Sequence, residues 1–357
     1  MPHIAYSSAT TTRFVIVLKE KENLLGQIHH ERSQTQISPL TAGKQEGVRV
    51  GNVMVLAQSD EQKVNHFKQQ LIMQSYQIKE TPHFVIFQKP VTNRTILMHT
   101  FSQTAIDADL ISIVENELPA SGILASTQEY SAVLFAILAS CFPAPRSQLM
   151  IWRRFCLNTL DRMRTLISDP SGISLPSVSH ITPFAAIYRR IIELFVGENL
   201  LDVGSSFGFF PVLMAERVTN TTIVGCDNSP DAISLAKDLV TATHINRTIF
   251  LLKDVRSTDF SSLGRFDTVT AIHLIEHLTE QELPLAFTHL LQATSKRLIV
   301  AVPYEEKIEK LYGHQQVFTR EKLEFWGKWC IQMLEGCGSY WCEDLMGGLL
   351  VVERLPE

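Results

Sequence analysis

The segment Leu200-Leu201-Asp202-Val203-Gly204-Ser205-Ser206-Phe207-Gly208 constrains this chain more than any other. An apolar run ends in an acid, and small residues then recur at alternate positions. The pattern predicts a buried strand stopping at Asp202, a tight turn, and a helix over Phe209–Arg217. The missing side chains at Gly204 and Gly208 let backbone come close to a ligand. In an open α/β sheet, ligands bind beyond the carboxyl ends of the strands, so the turn is where one would sit. A dinucleotide fingerprint needs glycine at 204, 206 and 209, and only Gly204 matches.

Strand and helix signals then alternate. Thr222–Cys226 reads as a second buried strand that ends at Asp227, about one βαβ step after Asp202. A carboxylate there accepts hydrogen bonds from both vicinal hydroxyls of a ribose. Asn228-Ser229-Pro230-Asp231 reads as a cap for a helix over Asp231–Thr241. Thr248–Leu252 is a third strand, stopping at Lys253-Asp254-Val255. Phe266–Ile272 is a fourth, leading to His273-Leu274-Ile275-Glu276-His277-Leu278, and Arg297–Pro303 is a fifth. Gly347–Arg354 reads as the last. This alternation predicts an α/β fold, a mostly parallel sheet with helices on both faces.

Asp202-x-Gly204-x-Ser206-x-Gly208, with the acids after the next two strands, resembles the first motifs of the class I S-adenosylmethionine-dependent methyltransferase superfamily. One glycine is replaced by Ser206. The resemblance implies a Rossmann-like sheet, parallel with one antiparallel edge strand, and S-adenosylmethionine as cofactor. It places Gly204, Ser206 and Gly208 against the methionine portion. Asp202 would order that turn or meet the cofactor amine. Asp227, with Asn228 beside it, falls at the ribose. Asp254 would accept a hydrogen bond from the adenine amino group, and Val255 would pack on the ring.

His273-x-x-Glu276-His277 follows the fourth strand, where the superfamily faces the methyl acceptor. H-x-x-E-H also spells the inverted zinc-protease motif, but that motif needs a long helix carrying both histidines, and here it abuts a strand. Two readings stand. In one, Glu276-His277-Leu278 lines the pocket without metal. In the other, a divalent ion sits on His273, Glu276, His277 and His314. The small-RNA 3′-end 2′-O-methyltransferases resemble this chain here: they carry acid-x-x-Glu-His, then a later His before Trp-Thr-Arg. This chain has His273 where an acid is expected and Phe318 where tryptophan is expected, with His314 at the matching distance before Thr319-Arg320. A metal grips two neighbouring hydroxyls and lowers the pKa of one. Without metal, His273, His277 and His314 are the candidate bases, since imidazole titrates near neutrality.

The length of 357 residues suggests two domains or one enlarged one. The expected division is an N-terminal α+β domain of unknown role over 1–145, a helical connector over 146–180, and the methyltransferase domain over 181–357. In the first, Phe14–Leu18 and Val53–Ala57 read as strands and 19–47 as loop. Ser59-Asp60-Glu61-Gln62 caps a helix reaching Met73. His83–Phe87 and Thr95–His99 read as paired strands, followed by helices over 106–117, 127–141 and 147–168. Asp169-Pro170-Ser171-Gly172 breaks the chain. A net charge of −5 with no sustained basic block argues against long nucleic acid as partner. Arg153-Arg154 and Arg189-Arg190 are the local basic pairs.

The 6 cysteines are scattered without C-x-x-C, which predicts free thiols and a cytoplasmic location. The longest apolar stretch, Ala132–Ala139, is too short to span a bilayer. Ser179-His180-Ile181-Thr182-Pro183-Phe184, Val203–Phe209, Val302-Pro303-Tyr304-Glu305-Glu306 and Tyr312-Gly313-His314 resemble the mycofactocin-oligosaccharide methyltransferases. That resemblance implies a sugar-hydroxyl acceptor, with His180 and Tyr304 near the pocket mouth. The expected function is methyl transfer from S-adenosylmethionine to a hydroxyl of a small molecule or glycan. The rivals are a metal-dependent RNA ribose 2′-O-methyltransferase, a non-catalytic S-adenosylmethionine-binding protein and a nicotinamide-dependent oxidoreductase. The oligomeric state is open, a homodimer included.

Overall fold

The computed structural model describes residues 47–119, 127–143, 147–169, 179–308 and 313–355. The strand expected at Phe14–Leu18, nearly all of the loop over 19–47, the break from Pro170 onward, and Tyr312 lie outside the described residues. The chain divides into two compact units, one within Lys19–Thr159 and the other from Leu160 to the end.

The first unit carries β1 (Val48–Val50), β2 (Val53–Ala57), α1 (Glu61–Met73), β3 (Gln77–Glu80), β4 (Phe84–Lys89) and β5 (Arg94–His99). Helices α2 (Asp109–Glu117) and α3 (Thr127–Ser140) follow, and then α4 (Gln148–Ser168), whose last turns belong to the second unit. Asp60 caps α1 by accepting from the Gln62 and Lys63 amides at 3.0 and 3.2 Å. The sheet order is β1-β2-β5-β4-β3, with β2 and β5 parallel and the other pairs antiparallel. His99 holds β5 to α3. Its Nδ1 accepts from the Phe101 amide at 3.2 Å, so Nε2–H donates to Ser140 Oγ at 2.7 Å. Ser140 donates onward to the Ile137 carbonyl, so this buried Ser–His pair is a structural tie and no activated nucleophile. Burial pushes His99 down to about 3, which keeps it neutral.

The second unit contains α5 (Ile181–Leu194), β6 (Asn199–Val203), α6 (Phe209–Arg217), β7 (Thr222–Asp227), α7 (Pro230–Thr243) and β8 (Thr248–Leu252). It continues with β9 (Phe266–Ile272), α8 (Leu283–Ala293), β10 (Thr294–Val302), α9 (Arg320–Met333), β11 (Gly338–Asp344) and β12 (Gly348–Arg354). The sheet order is β11-β12-β10-β9-β6-β7-β8. Strands β8, β7, β6, β9 and β10 run parallel, and β12 runs antiparallel to β10. This is the expected Rossmann-like α/β sheet with one reversed strand. The position of that strand is corrected: β12 lies one place in from the edge, because β11 pairs on its far side. The two form a hairpin, and β12 is buried on both faces as its Leu-Leu-Val-Val run demands.

Leu201, Val203, Val269, Ala271, Leu298 and Val300 form the sheet's part of the main core, against Phe287, Leu290 and Trp326 from the helices. Reversal of order at β6 and β9 opens a crevice at the carboxyl ends of the strands. Among the described residues no helix is long and apolar enough to cross a membrane.

Gly208 sits at the entry of α6 with φ +77°, and a Cβ there would overlap the Phe250 ring. We expect Gly208→Ala to cost roughly 2 kcal/mol, from left-handed backbone and overpacking together, read as a lower urea midpoint at unchanged slope.

Candidate functional site

The turn after β6 is built on the end of β7. Gly204 and Ser205 both donate their amides to the Cys226 carbonyl, at 2.8 and 2.9 Å. Ser206 donates its amide to Asp227 Oδ2 at 3.0 Å. That bond holds Ser206 at φ +48°, a conformation uncommon for a residue with a Cβ. Asp227 Oδ1 accepts from the Ser229 amide at 2.9 Å, and Ser229 Oγ caps α7. One carboxylate is therefore pinned from two turns, and each oxygen keeps lone-pair capacity for a ligand.

Asp202 lies beneath this turn, 3% exposed, accepting from the Thr270 hydroxyl at 2.7 Å. Burial pushes its carboxyl up to about 7; the Thr270 bond opposes the rise and the Asp227 charge adds to it. Asp202, Gly204, Ser205 and Ser206 line one side of a pocket. Its other walls are Met163, Phe184, Tyr188, Phe209, Phe210, Ile272 and His273.

Asn228, expected beside the ribose, and Asp254 and Val255, expected at adenine, are arranged differently from one another. Asn228 is exposed, and its amide lies 3.5 Å from Asp254 Oδ2. Asp254 is gripped by Arg256, whose Nε and Nη2 donate at 2.9 and 2.6 Å and whose own amide donates at 2.9 Å. Arg256 also bridges to Glu282 at 2.8 Å. The guanidinium holds the Asp254 carboxyl down at about 2. Val255 packs into the apolar core, and its carbonyl accepts from His289 at 2.6 Å. The Arg256 clamp was passed over in the sequence, although an acid two residues before an arginine is a local signal.

The second cluster begins where β9 ends. His273 takes φ +51°, with its amide bonded to the Ala301 carbonyl at 2.9 Å. A single 3-10 turn over Ile275–His277 follows. The distant 313–316 segment is stitched onto that turn by the Gln315 amide to the Glu276 carbonyl and the Gln316 amide group to the Leu278 carbonyl, at 2.9 and 2.6 Å. This brings Glu276, His277 and His314 together, with one ligand atom from each within 4.8 Å of the others. His273 stands outside that set, with its Nδ1 on Glu276 Oε1 at 3.0 Å.

The partners settle the tautomers. His314 Nδ1–H donates to Glu305 Oε2 at 2.8 Å, between buried side chains, which leaves the lone pair on Nε2. His277 Nδ1–H donates to the Gly313 carbonyl at 3.3 Å, with the same result. Among the described residues, Glu276 Oε2 is buried without a hydrogen-bond partner. Burial raises the Glu276 carboxyl, but the His273 bond and the nearby imidazoles of His273, His277 and His314 outweigh it and hold it below the usual range. An orphaned carboxylate oxygen beside two imidazoles with lone pairs on Nε2 fits a divalent cation. The mixed N/O donor set suits Mn²⁺, Fe²⁺, Co²⁺ or Zn²⁺ better than Mg²⁺, which favours oxygen. Glu305, the partner of His314, was quoted in a motif but given no role from the sequence.

Other expected residues fall elsewhere. His180 is fully buried just ahead of α5. Tyr304 donates to Asp344 at 3.2 Å and packs where Gly348 has no side chain, so it closes the end of the β11–β12 hairpin. Phe318 is buried in the core. Arg189 and Arg190 pair with Glu193, and Arg190 also with Glu343, so that basic pair is neutralised.

Residues 200–296 match a family model described as a methyltransferase domain. The chain is 25% identical over 87 residues to N-methyltransferase 4 from Papaver somniferum, covering 24% of each. It thus spans about a quarter of the curated relative's length. Among solved structures it is similar to the methyltransferase domain of bacterial CtHen1-C, at 17% identity and TM-score 0.41, covering 48% of this chain and 98% of that one. It is also similar to magnesium protoporphyrin IX methyltransferase from Synechocystis PCC 6803 with bound SAH, at 15% identity and TM-score 0.39, covering 57% and 99%.

Asp202 is an acid whose folded-state pKa lies above its unfolded value. Its neutral form is favoured in the fold, so the stability it contributes is full below about pH 4 and lost as pH rises to about 7. We expect Asp202→Asn to gain stability relative to wild type across that window. Paired urea titrations at pH 4 and pH 7 check this.

Proposed function

We propose, on the premise that residues 200–296 are a class I methyltransferase domain, that this protein moves the methyl group of S-adenosylmethionine to a hydroxyl that has a second hydroxyl beside it. The acceptor class is a small molecule or glycan. The observation that carries this reading is the Glu276–His277–His314 cluster, placed after β9 and joined through His273 to the pocket under the β6 turn.

The bound cofactor supplies an electrophilic methyl on a sulfonium sulfur. The chain's part is alignment, exclusion of water and handling of the acceptor. Asp227 holds the ribose, and the Gly204–Ser206 turn with Asp202 holds the amino-acid end. Phe184, Tyr188, Phe209 and Phe210 dry the pocket. Asp254 faces the base, with Arg256 keeping it ionised and oriented, and Asn228 lies beside the ribose acid. Glu276, His277 and His314 would hold a divalent cation with positions left open for two hydroxyl oxygens, where it would lower the pKa of one. Glu305 and His273 keep two of those ligands in place. His277 is the half-buried member, so the acceptor reaches the cluster from its side.

A ribose at an RNA end presents the same pair of hydroxyls and is the second reading. The net charge of −5 and the neutralised Arg189-Arg190 pair weigh against a long nucleic-acid track.

We expect chelation with EDTA to lower turnover of a vicinal-diol acceptor at least 100-fold, with recovery on adding Mn²⁺. Glu305→Gln should weaken Mn²⁺ binding 10- to 100-fold while leaving S-adenosylhomocysteine binding unchanged. Turnover indifferent to EDTA would assign the imidazoles a direct role as bases and remove the cation from the account. Binding of S-adenosylhomocysteine without methylation of any hydroxyl acceptor would favour a non-catalytic protein.

A further inference from the structure

His273 is the residue that the methyl-transfer reading leaves half explained. Its side chain is 3% exposed, and its ring packs edge-on against Phe184 with centroids 5.1 Å apart. Nδ1 is committed to Glu276 Oε1 at 3.0 Å. Nε2 is buried with no hydrogen-bond partner among the described residues. The same ring lines the pocket beneath the β6 turn, together with Asp202, Gly204 and Ser206. A buried polar atom with no partner is costly unless a ligand completes it.

The chemistry of that ligand follows from the tautomer. A carboxylate only accepts, so Nδ1 donates to Glu276, and in the neutral ring Nε2 is then an acceptor. The wall beside it supplies a second acceptor, Asp202, and the aromatic faces of Phe184, Tyr188 and Phe209. Two acceptors among aromatic rings select a cation that brings N–H donors of its own. A sulfonium has no such donors; a primary ammonium has three.

We propose that His273 Nε2 accepts a hydrogen bond from the ammonium at the amino-acid end of the cofactor, while Nδ1 positions Glu276. The proposal rests on the methyl-transfer reading and deepens it. One imidazole then joins the cofactor pocket to the Glu276–His277–His314 cluster. Occupation of one side fixes the ring that serves the other.

Two substitutions separate the two roles. Asparagine places an amide donor where Nδ1 stands, tolerates the left-handed backbone, and removes Nε2. Glutamine reaches the Nε2 position with an amide oxygen and removes the Nδ1 donor. The protein and both variants are titrated calorimetrically with S-adenosylhomocysteine, with 5′-methylthioadenosine, which lacks the amino-acid end, and with Mn²⁺. For His273→Asn we expect S-adenosylhomocysteine to weaken about tenfold or more, with 5′-methylthioadenosine and Mn²⁺ unchanged within about twofold. For His273→Gln we expect the reverse: S-adenosylhomocysteine retained and Mn²⁺ weakened. Parallel weakening of both nucleosides, or no change in either, would overturn the proposal, since a merely structural residue does not discriminate the amino-acid end. Should the asparagine variant not fold, retention of S-adenosylhomocysteine by the glutamine variant still supports the proposal and its loss overturns it. A wild type that binds neither nucleoside would instead overturn the cofactor reading beneath it.

Discussion

The carboxylate of Asp227 accepts two backbone amides, from Ser206 and from Ser229, and the site is organised around it. The first bond folds the β6 turn over the end of β7; the second starts α7. Because both oxygens are held, the turn keeps Gly204, Ser205 and Ser206 at the crevice where the sheet reverses order. Without this acid, Ser206 would have no reason to hold a left-handed backbone. Loss of the turn would also disturb Asp202, which lies beneath it and is paired to Thr270 on β9. The β6 turn and the end of β9 are thus tied across the same central strands.

Most of the second unit's framework was legible because its central strands are buried on both faces. Such strands appear as short apolar runs ending in acids or glycines, and the expected bounds of α6, β7, β8 and β9 match the structure to within a residue. Strands β3 and β11 were missed for the opposite reason. Gln77–Glu80 is almost wholly exposed and Gly338–Asp344 is half-buried along its length, so neither shows an apolar run. Missing β11 is what put β12 at the edge. Helices α8 and α9 were also left unassigned. The first unit's α1 was readable from its Asp60 cap, and β4 and β5 from the turn residues between them.

Glu276, His277 and His314 were grouped in the sequence by a family resemblance, and their approach in the structure depends on the main-chain bond from Gln315 and on Gln316, which no motif flagged. His273, at positive φ at the end of β9, bonds Glu276 and lines the pocket but lies outside the Glu276–His277–His314 cluster. Backbone sign is not written in the identity of a histidine. The Glu305–His314 pair joins residues nine apart, a separation that neither a helix nor a strand period reveals. Arg256 on Asp254 is the converse case, a local pair that sequence contained.

The account joins two sites through one ring and predicts that both fill in the same molecule. The most direct test is a crystal structure of the protein with S-adenosylhomocysteine and Mn²⁺, with anomalous differences recorded at the manganese edge. The account predicts one anomalous peak bonded to Glu276 Oε2, His277 Nε2 and His314 Nε2, with the nucleoside's ribose on Asp227. An empty cluster with those atoms hydrogen-bonded to protein or water, or a nucleoside seated away from the β6 turn, would contradict it.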